Sequence, residues 1–137
     1  MKKSIIIMIL VLGFVKVNSQ SLTVSIKNIV SDKGMLRVGI FNSQTDFLKK
    51  QLYGQIVKAK SGDVQVVFEN IPEGTYAVSI IHDENENEEL DSNFFGIPNE
   101  GFGFSNDAMG TFGPPSFEKA SFKLTENETL TINLKYM

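Results

Sequence analysis

Ile71-Pro72-Glu73-Gly74-Thr75-Tyr76-Ala77-Val78-Ser79-Ile80-Ile81-His82-Asp83 joins a turn to a strand with two apolar faces. Proline fixes one φ and glycine supplies the other, so Asn70 to Gly74 reads as a tight turn. Thr75 to Asp83 then alternates Tyr76, Val78 and Ile80 with Ala77, Ser79 and Ile81. Both sets are small or apolar, so neither face of this strand suits water. That predicts a central strand, which carries His82 and Asp83 to the rim of a sheet.

Outward from it, the other strands read as half-buried. Leu22 to Ile29 and Met35 to Phe41 alternate in the same way around Asp32-Lys33-Gly34, which predicts a hairpin. Gln55 to Ala59 and Val64 to Glu69 predict a second hairpin around Ser61-Gly62-Asp63. Phe117 to Leu124 and Thr129 to Tyr136 predict a last pair, bent at Glu126-Asn127-Glu128. Between them, Thr45 or Asp46 is placed to cap a short helical turn holding Phe47, Leu48 and Leu52 and closed by Gly54. The expected fold class is all-β, a seven-stranded antiparallel Greek-key sandwich with one long loop and at most one short helix.

The first residues stand apart. Lys2 and Lys3 precede an unbroken apolar run from Ile5 to Val15, and Val17-Asn18-Ser19 follows. This is the pattern of a cleavable signal peptide over 1–19, with the cut between Ser19 and Gln20 and a single domain over 20–137. Lys16 ends the run well short of the ~20 apolar residues that a membrane span requires. Removing the leader leaves ten basic side chains against sixteen acidic ones and shifts the net charge from −3 to −6. That balance excludes nucleic acid and membrane insertion of the mature chain as first expectations, and leaves a protein or carbohydrate ligand. The chain has no cysteine, which removes disulfides and thiolate chemistry. The expected location is the periplasm or the extracellular space.

The connection from His82 to Pro115 is far longer than a hairpin requires, and connections of that length usually carry function. It contains Phe94, Phe95, Phe102, Phe104 and Phe112. Its acidic front end places side-chain oxygens at alternate positions. Asp83, Asn85 and Asn87, the Glu89 carbonyl and Asp91 supply the kind of oxygen shell that Ca2+ takes. No Lys or Arg lies between Lys60 and Lys119, whereas six acidic groups fall within 83–91. Such a cluster is either neutralised by a cation or solvated, with its side chains capping their own backbone as Asx-turns. His82, the sole histidine, is expected to bond loop backbone at the strand end. Zinc ligation with Asp83 and Asp91, or a hydrolase built on His82, Asp83 and Glu100, are its alternatives. No catalytic constellation is recognisable. Phe102, Phe104 and Phe112 offer a ligand surface for an apolar molecule or a sugar within the Phe-Gly segment 94–112, or else fold back as a satellite core.

Ile71-Pro72-Glu73-Gly74-Thr75-Tyr76-Ala77-Val78 resembles the turn-and-strand signature of transthyretin-like and carboxypeptidase-regulatory-like sandwiches. A fuller run is more specific: His82-Asp83-Glu84-Asn85 through Leu90-Asp91, Gly96-Ile97-Pro98, and Glu100-Gly101-Phe102-Gly103-Phe104-Ser105-Asn106. It resembles an uncharacterised bacterial secreted family, domain of unknown function 2141, over essentially the whole mature chain. The resemblance implies a small exported β-sandwich and brings no catalytic residues with it. The family often has glycine where this chain has Glu88, and glycine eases the sharp turn of an ion-wrapping loop.

Overall fold

A computed structural model describes Gly13, residues 18–90 and residues 98–137. The greater part of the expected signal peptide lies outside the described residues, as does Asp91. Among the described residues no helix is long and apolar enough to cross a membrane. The described residues form eight strands: β1 (Ser19–Ile29), β2 (Met35–Phe41), β3 (Tyr53–Lys58), β4 (Gly62–Pro72), β5 (Gly74–Asp83), β6 (Gly101–Phe104), β7 (Phe122–Leu124) and β8 (Glu128–Asn133). One sheet has the order β4-β1-β8, and the other has the order β3-β2-β5-β6 with β7 also paired to β5. The all-β sandwich expectation therefore holds, with one strand more than the seven read from the sequence.

The pairings correct the expected hairpins. β1 and β2 do not pair with each other: β1 pairs β4 and β8, whereas β2 pairs β3 and β5. Each has one fully apolar face, Leu22, Val24 and Ile26 against Leu36, Val38 and Ile40, all buried in one core. Setting these faces against each other across two sheets buries both, which an edge-to-edge hairpin would not do. β3 and β4 are likewise split between the sheets, and so are β7 and β8. β8 runs parallel to β1, with Val24 opposite Leu130 and Ile26 opposite Ile132, so the sandwich is not wholly antiparallel.

β5 is central, as its sequence implied. Tyr76, Val78 and Ile80 enter the main core with the inward residues of β1, β2, β4 and β8. Its other face carries Ala77, which joins a second cluster of Phe41, Phe47, Phe102, Phe104 and Ala120. Phe47 is the hub of that cluster, in edge-on contact with Phe41, Phe104 and Phe117 at 5.4, 6.4 and 5.8 Å between centroids. The segment around it is a run of turns tied by the Phe47 N–H to the Ser43 carbonyl and the Lys50 N–H to the Asp46 carbonyl. The helical turn expected there is thus not a helix. One short α-helical turn, α1 (Phe117–Ala120), lies instead where a strand was expected, capped by the Ser116 side chain.

β6 is the strand that the sequence reading placed inside a loop. Gly101 and Gly103 alternate with Phe102 and Phe104, and the glycines face the sandwich. A Cβ on Gly103 would stand 2.8 Å from the Ile132 Cγ2, and one on Gly101 would overlap the Tyr136 ring. The Phe102 N–H donates to the Lys135 carbonyl (3.1 Å) and the Lys135 N–H returns a bond to Phe102 (2.9 Å), which joins the two sheets along this edge. Where β6 ends and β7 has not begun, the Ser105 hydroxyl accepts the Val78 N–H at 2.9 Å and donates to the Ala120 carbonyl. Asp107 then accepts the backbone and side-chain N–H groups of Asn133, both at 2.9 Å. These bonds give the returning loop a fixed base.

Candidate functional site

Neighbouring residues of a strand point to opposite faces, and this separates His82 from Asp83. His82 is fully buried on the core side. Its Nε2 lies 2.7 Å from the Lys33 carbonyl, so Nε2 carries the proton, and Nδ1 accepts the Tyr136 hydroxyl at 2.8 Å. The Tyr136 oxygen accepts the Val30 N–H in turn, and burial holds this phenol above its ordinary pKa. His82 thus bonds the backbone of the β1–β2 connection, in the structural role expected of it.

Asp83, also fully buried, organises the other side. Its Oδ2 accepts the Arg37 Nε–H at 2.7 Å and the Glu88 N–H at 2.9 Å, and its Oδ1 accepts the Asn87 N–H at 3.1 Å. Burial alone raises a carboxyl pKa. Here the Arg37 bond and charge, with the two loop amides, outweigh it and hold the pKa below its ordinary value. Arg37 is the sole arginine of the chain, placed on the outer face of β2. It also stands 3.7 Å from Glu88. The acidic loop therefore has a protein cation that the charge count along the loop missed. Its signal was a single charged residue inside the apolar alternation of β2.

Beyond Asp83 the loop turns on its own side chains. Asn85 Oδ1 accepts the Asn87 N–H at 3.2 Å, and Asn87 Oδ1 accepts the Glu89 N–H at 3.0 Å. Glu86 and Glu88 take positive φ, 57° and 69°. These are the Asx-turns expected of a solvated acidic turn, and Glu88 adopts the glycine-like conformation despite its Cβ. Asn85, Asn87 and Glu89 are exposed. Among the described residues no three Asp, Glu or His groups converge as a metal set. Glu100 is buried and accepts the Glu84 N–H at 3.1 Å. It pins the loop and is not joined to His82.

The outer face of the β3-β2-β5-β6 sheet holds a cleft of about 1010 Å³. Register defines its floor in rows across the sheet. Ile56, Arg37, Ile81 and Phe102 stand side by side, and the next row is Gly54, Gly39, Ser79 and Phe104. The loop supplies the opposite wall with Leu90, Met109 and the 110–114 segment. Phe102 and Phe104 are buried in the second core, whereas Phe112 is fully exposed at the rim with Leu48, Ile56 and Met137. The two readings of these phenylalanines are therefore divided: Phe102 and Phe104 fold into the satellite core beneath the floor, and Phe112 stands exposed.

Asp83→Asn should destabilise the protein by about 2 kcal/mol at neutral pH, the scale of lost hydrogen bonds to a charged group. Because the native pKa is depressed, this contribution is complete above the unfolded value of about 3.9. It is lost as pH falls through the lower native value. Urea unfolding between pH 7 and pH 3 should show the two proteins converging with acidification. A gap that stays constant with pH would refute the assignment.

No match was found among curated proteins or among solved structures. Residues 24–133 match the model of a family described as uncharacterized protein conserved in bacteria, DUF2141. That span runs from the middle of β1 to the end of β8 and takes in the cleft and the Asp83 loop, so the chain belongs to the DUF2141 family.

Proposed function

We propose that the protein is an exported, non-catalytic binding module of transthyretin-like type that holds a small, mainly apolar molecule in the cleft on its outer sheet face. The carrying observation is the cleft itself: about 1010 Å³, floored by ordered strands and rimmed by exposed Leu48, Ile56, Phe112 and Met137. Concave sites of this size and lining are where small ligands bind, and exposed apolar side chains gathered at one place mark an interaction site. The commitment of His82, Asp83 and Glu100 to structural hydrogen bonds favours binding over hydrolysis. The basic, then apolar, amino-terminal run favours export. The apolar lining favours a hydrophobic ligand over a sugar.

Titration of the purified protein with N-phenyl-1-naphthylamine, a neutral probe that fluoresces in apolar sites, tests this reading. Saturable one-to-one binding at micromolar Kd is expected, weakened at least fivefold by Ile56→Glu with Phe112→Ser. Both positions are exposed, so the fold is retained. Absence of saturable fluorescence, or identical binding by the double variant, would refute it.

A calcium ion at Asp83, Asn85, Asn87, the Glu89 carbonyl and Asp91 is a second reading. It is favoured by the left-handed conformation of Glu88, the backbone form that an ion-wrapping loop requires. Arg37 competes with it, since Asp83 Oδ2 already accepts two donors. An ion at about 100 times its Kd adds roughly 2.7 kcal/mol, which is several degrees in Tm. Melting in millimolar Ca2+ and in excess chelator should then differ by that much, and Asn87→Ala should abolish the difference. Equal Tm values remove the ion.

A further inference from the structure

The cleft floor has one row without bulk. Gly54 of β3, Gly39 of β2 and Ser79 of β5 lie side by side in register, closed by Phe104 of β6. The row on one side is large, with Ile56, Arg37, Ile81 and Phe102, and the row on the other places Phe41 beside Ala77. A trough therefore runs across the strands. Two neutral polar groups occupy it.

The first is the Gln51 amide, which lies flat over the paired glycines. A Cβ on Gly39 would stand 2.9 Å from Gln51 Oε1, and one on Gly54 would lie 2.7 Å from its Cδ and overlap its Nε2. The glycines thus make the slot in which the amide rests, and it lines the cleft with one donor side and one acceptor side. The second is the Ser79 hydroxyl. Ser79 is only 9% exposed and lines the cleft, and its hydroxyl makes no hydrogen bond within the described residues. Among the described residues no buried side-chain polar atom lacks a partner, so the Ser79 hydroxyl reaches the solvent of the cleft, where a ligand can replace water as its partner.

Arg37 is held by Asp83 and lies near Glu88. Lys49 also lines the cleft but is exposed to solvent, so a carboxylate entering the trough meets no uncommitted buried cation and loses its hydration. An apolar body satisfies the Ile56, Ile81, Met109 and Phe112 lining. A single neutral group able to donate and accept satisfies Gln51 and Ser79. Resting on the cleft reading above, we infer that the ligand is an apolar molecule bearing one neutral amide-like group, read by Gln51 and Ser79, with Gly39 and Gly54 as positioning residues.

The test is displacement of N-phenyl-1-naphthylamine by three ten-carbon competitors: decanamide, methyl decanoate and decanoate. Two added neutral hydrogen bonds are worth about tenfold in affinity, so decanamide should compete about tenfold better than the ester or the carboxylate. Gln51→Leu, Ser79→Ala and Gly54→Ala should each cut the amide-to-ester ratio to threefold or less, judged against each variant's own probe affinity. Gly54→Ala is the decisive variant, because it displaces only the flexible end of Gln51 and leaves the amide in the chain. Equal competition by all three compounds, or a ratio unchanged in Gln51→Leu and Gly54→Ala, would overturn this inference while leaving the cleft standing. If wild-type protein does not bind the probe, the cleft reading fails and this inference fails with it.

Discussion

The burial of both faces of β5 is the constraint from which the remaining architecture follows. A strand with Tyr76, Val78, Ile80 and His82 on one side and Ala77, Ser79, Ile81 and Asp83 on the other has no face suited to water. The sandwich covers the first side with β1, β4 and β8. The second side needs a separate cover, and the long connection after Asp83 provides it. It returns through β6, the Ser105 turn and α1, and brings Phe102, Phe104 and Phe117 onto Phe41 and Phe47 of the second cluster. Removing each such ring from water contributes roughly 2–3 kcal/mol against the entropy of ordering a long connection.

That cover is incomplete over the middle of the sheet, and the gap is the cleft. Its position follows from side-chain size. Where the outer face carries Ala77 and Phe41, the aromatic cluster fits against it. Where it carries Gly39 and Gly54, nothing projects to meet the loop, and only the Gln51 amide fills the space. The anchors that hold the loop lie around this gap. Asp83 with Arg37 fixes its beginning, Ser105 and Asp107 fix its return, and Ser116 caps the turn that ends it. A rigid floor with a wall tied at both ends suits a binding site, because little ordering remains to be done when a ligand enters.

The sequence carried much of this, but not the pairing. The all-β class and the two-faced central strand are legible from alternation and from turn residues, and so is the backbone-bonding place of His82 at a strand end, though not its burial. Hairpins were misread because a strand with one apolar face gives the same pattern whether its partner lies beside it or across the core. β6 escaped notice because Gly-Phe-Gly-Phe looks like loop composition. Only the packing of Tyr136 and Ile132 against its glycines explains their use. The loop was read as an isolated acidic cluster because its cation, Arg37, sits 46 residues upstream of Asp83. Likewise the trough depends on register, which places Gly54 beside Gly39 and Gly39 beside Ser79, and no local pattern announces that row.

Mapping 15N–1H chemical-shift changes of the labelled protein while N-phenyl-1-naphthylamine is added tests whether the outer face of the β3-β2-β5-β6 sheet binds ligand. Shifts should concentrate at the backbone amides of Gly39, Gly54, Ser79 and Phe104 and at the Gln51 side-chain amide, with the β4-β1-β8 sheet unmoved. Shifts confined to that opposite sheet, or none at saturating probe, would contradict binding there.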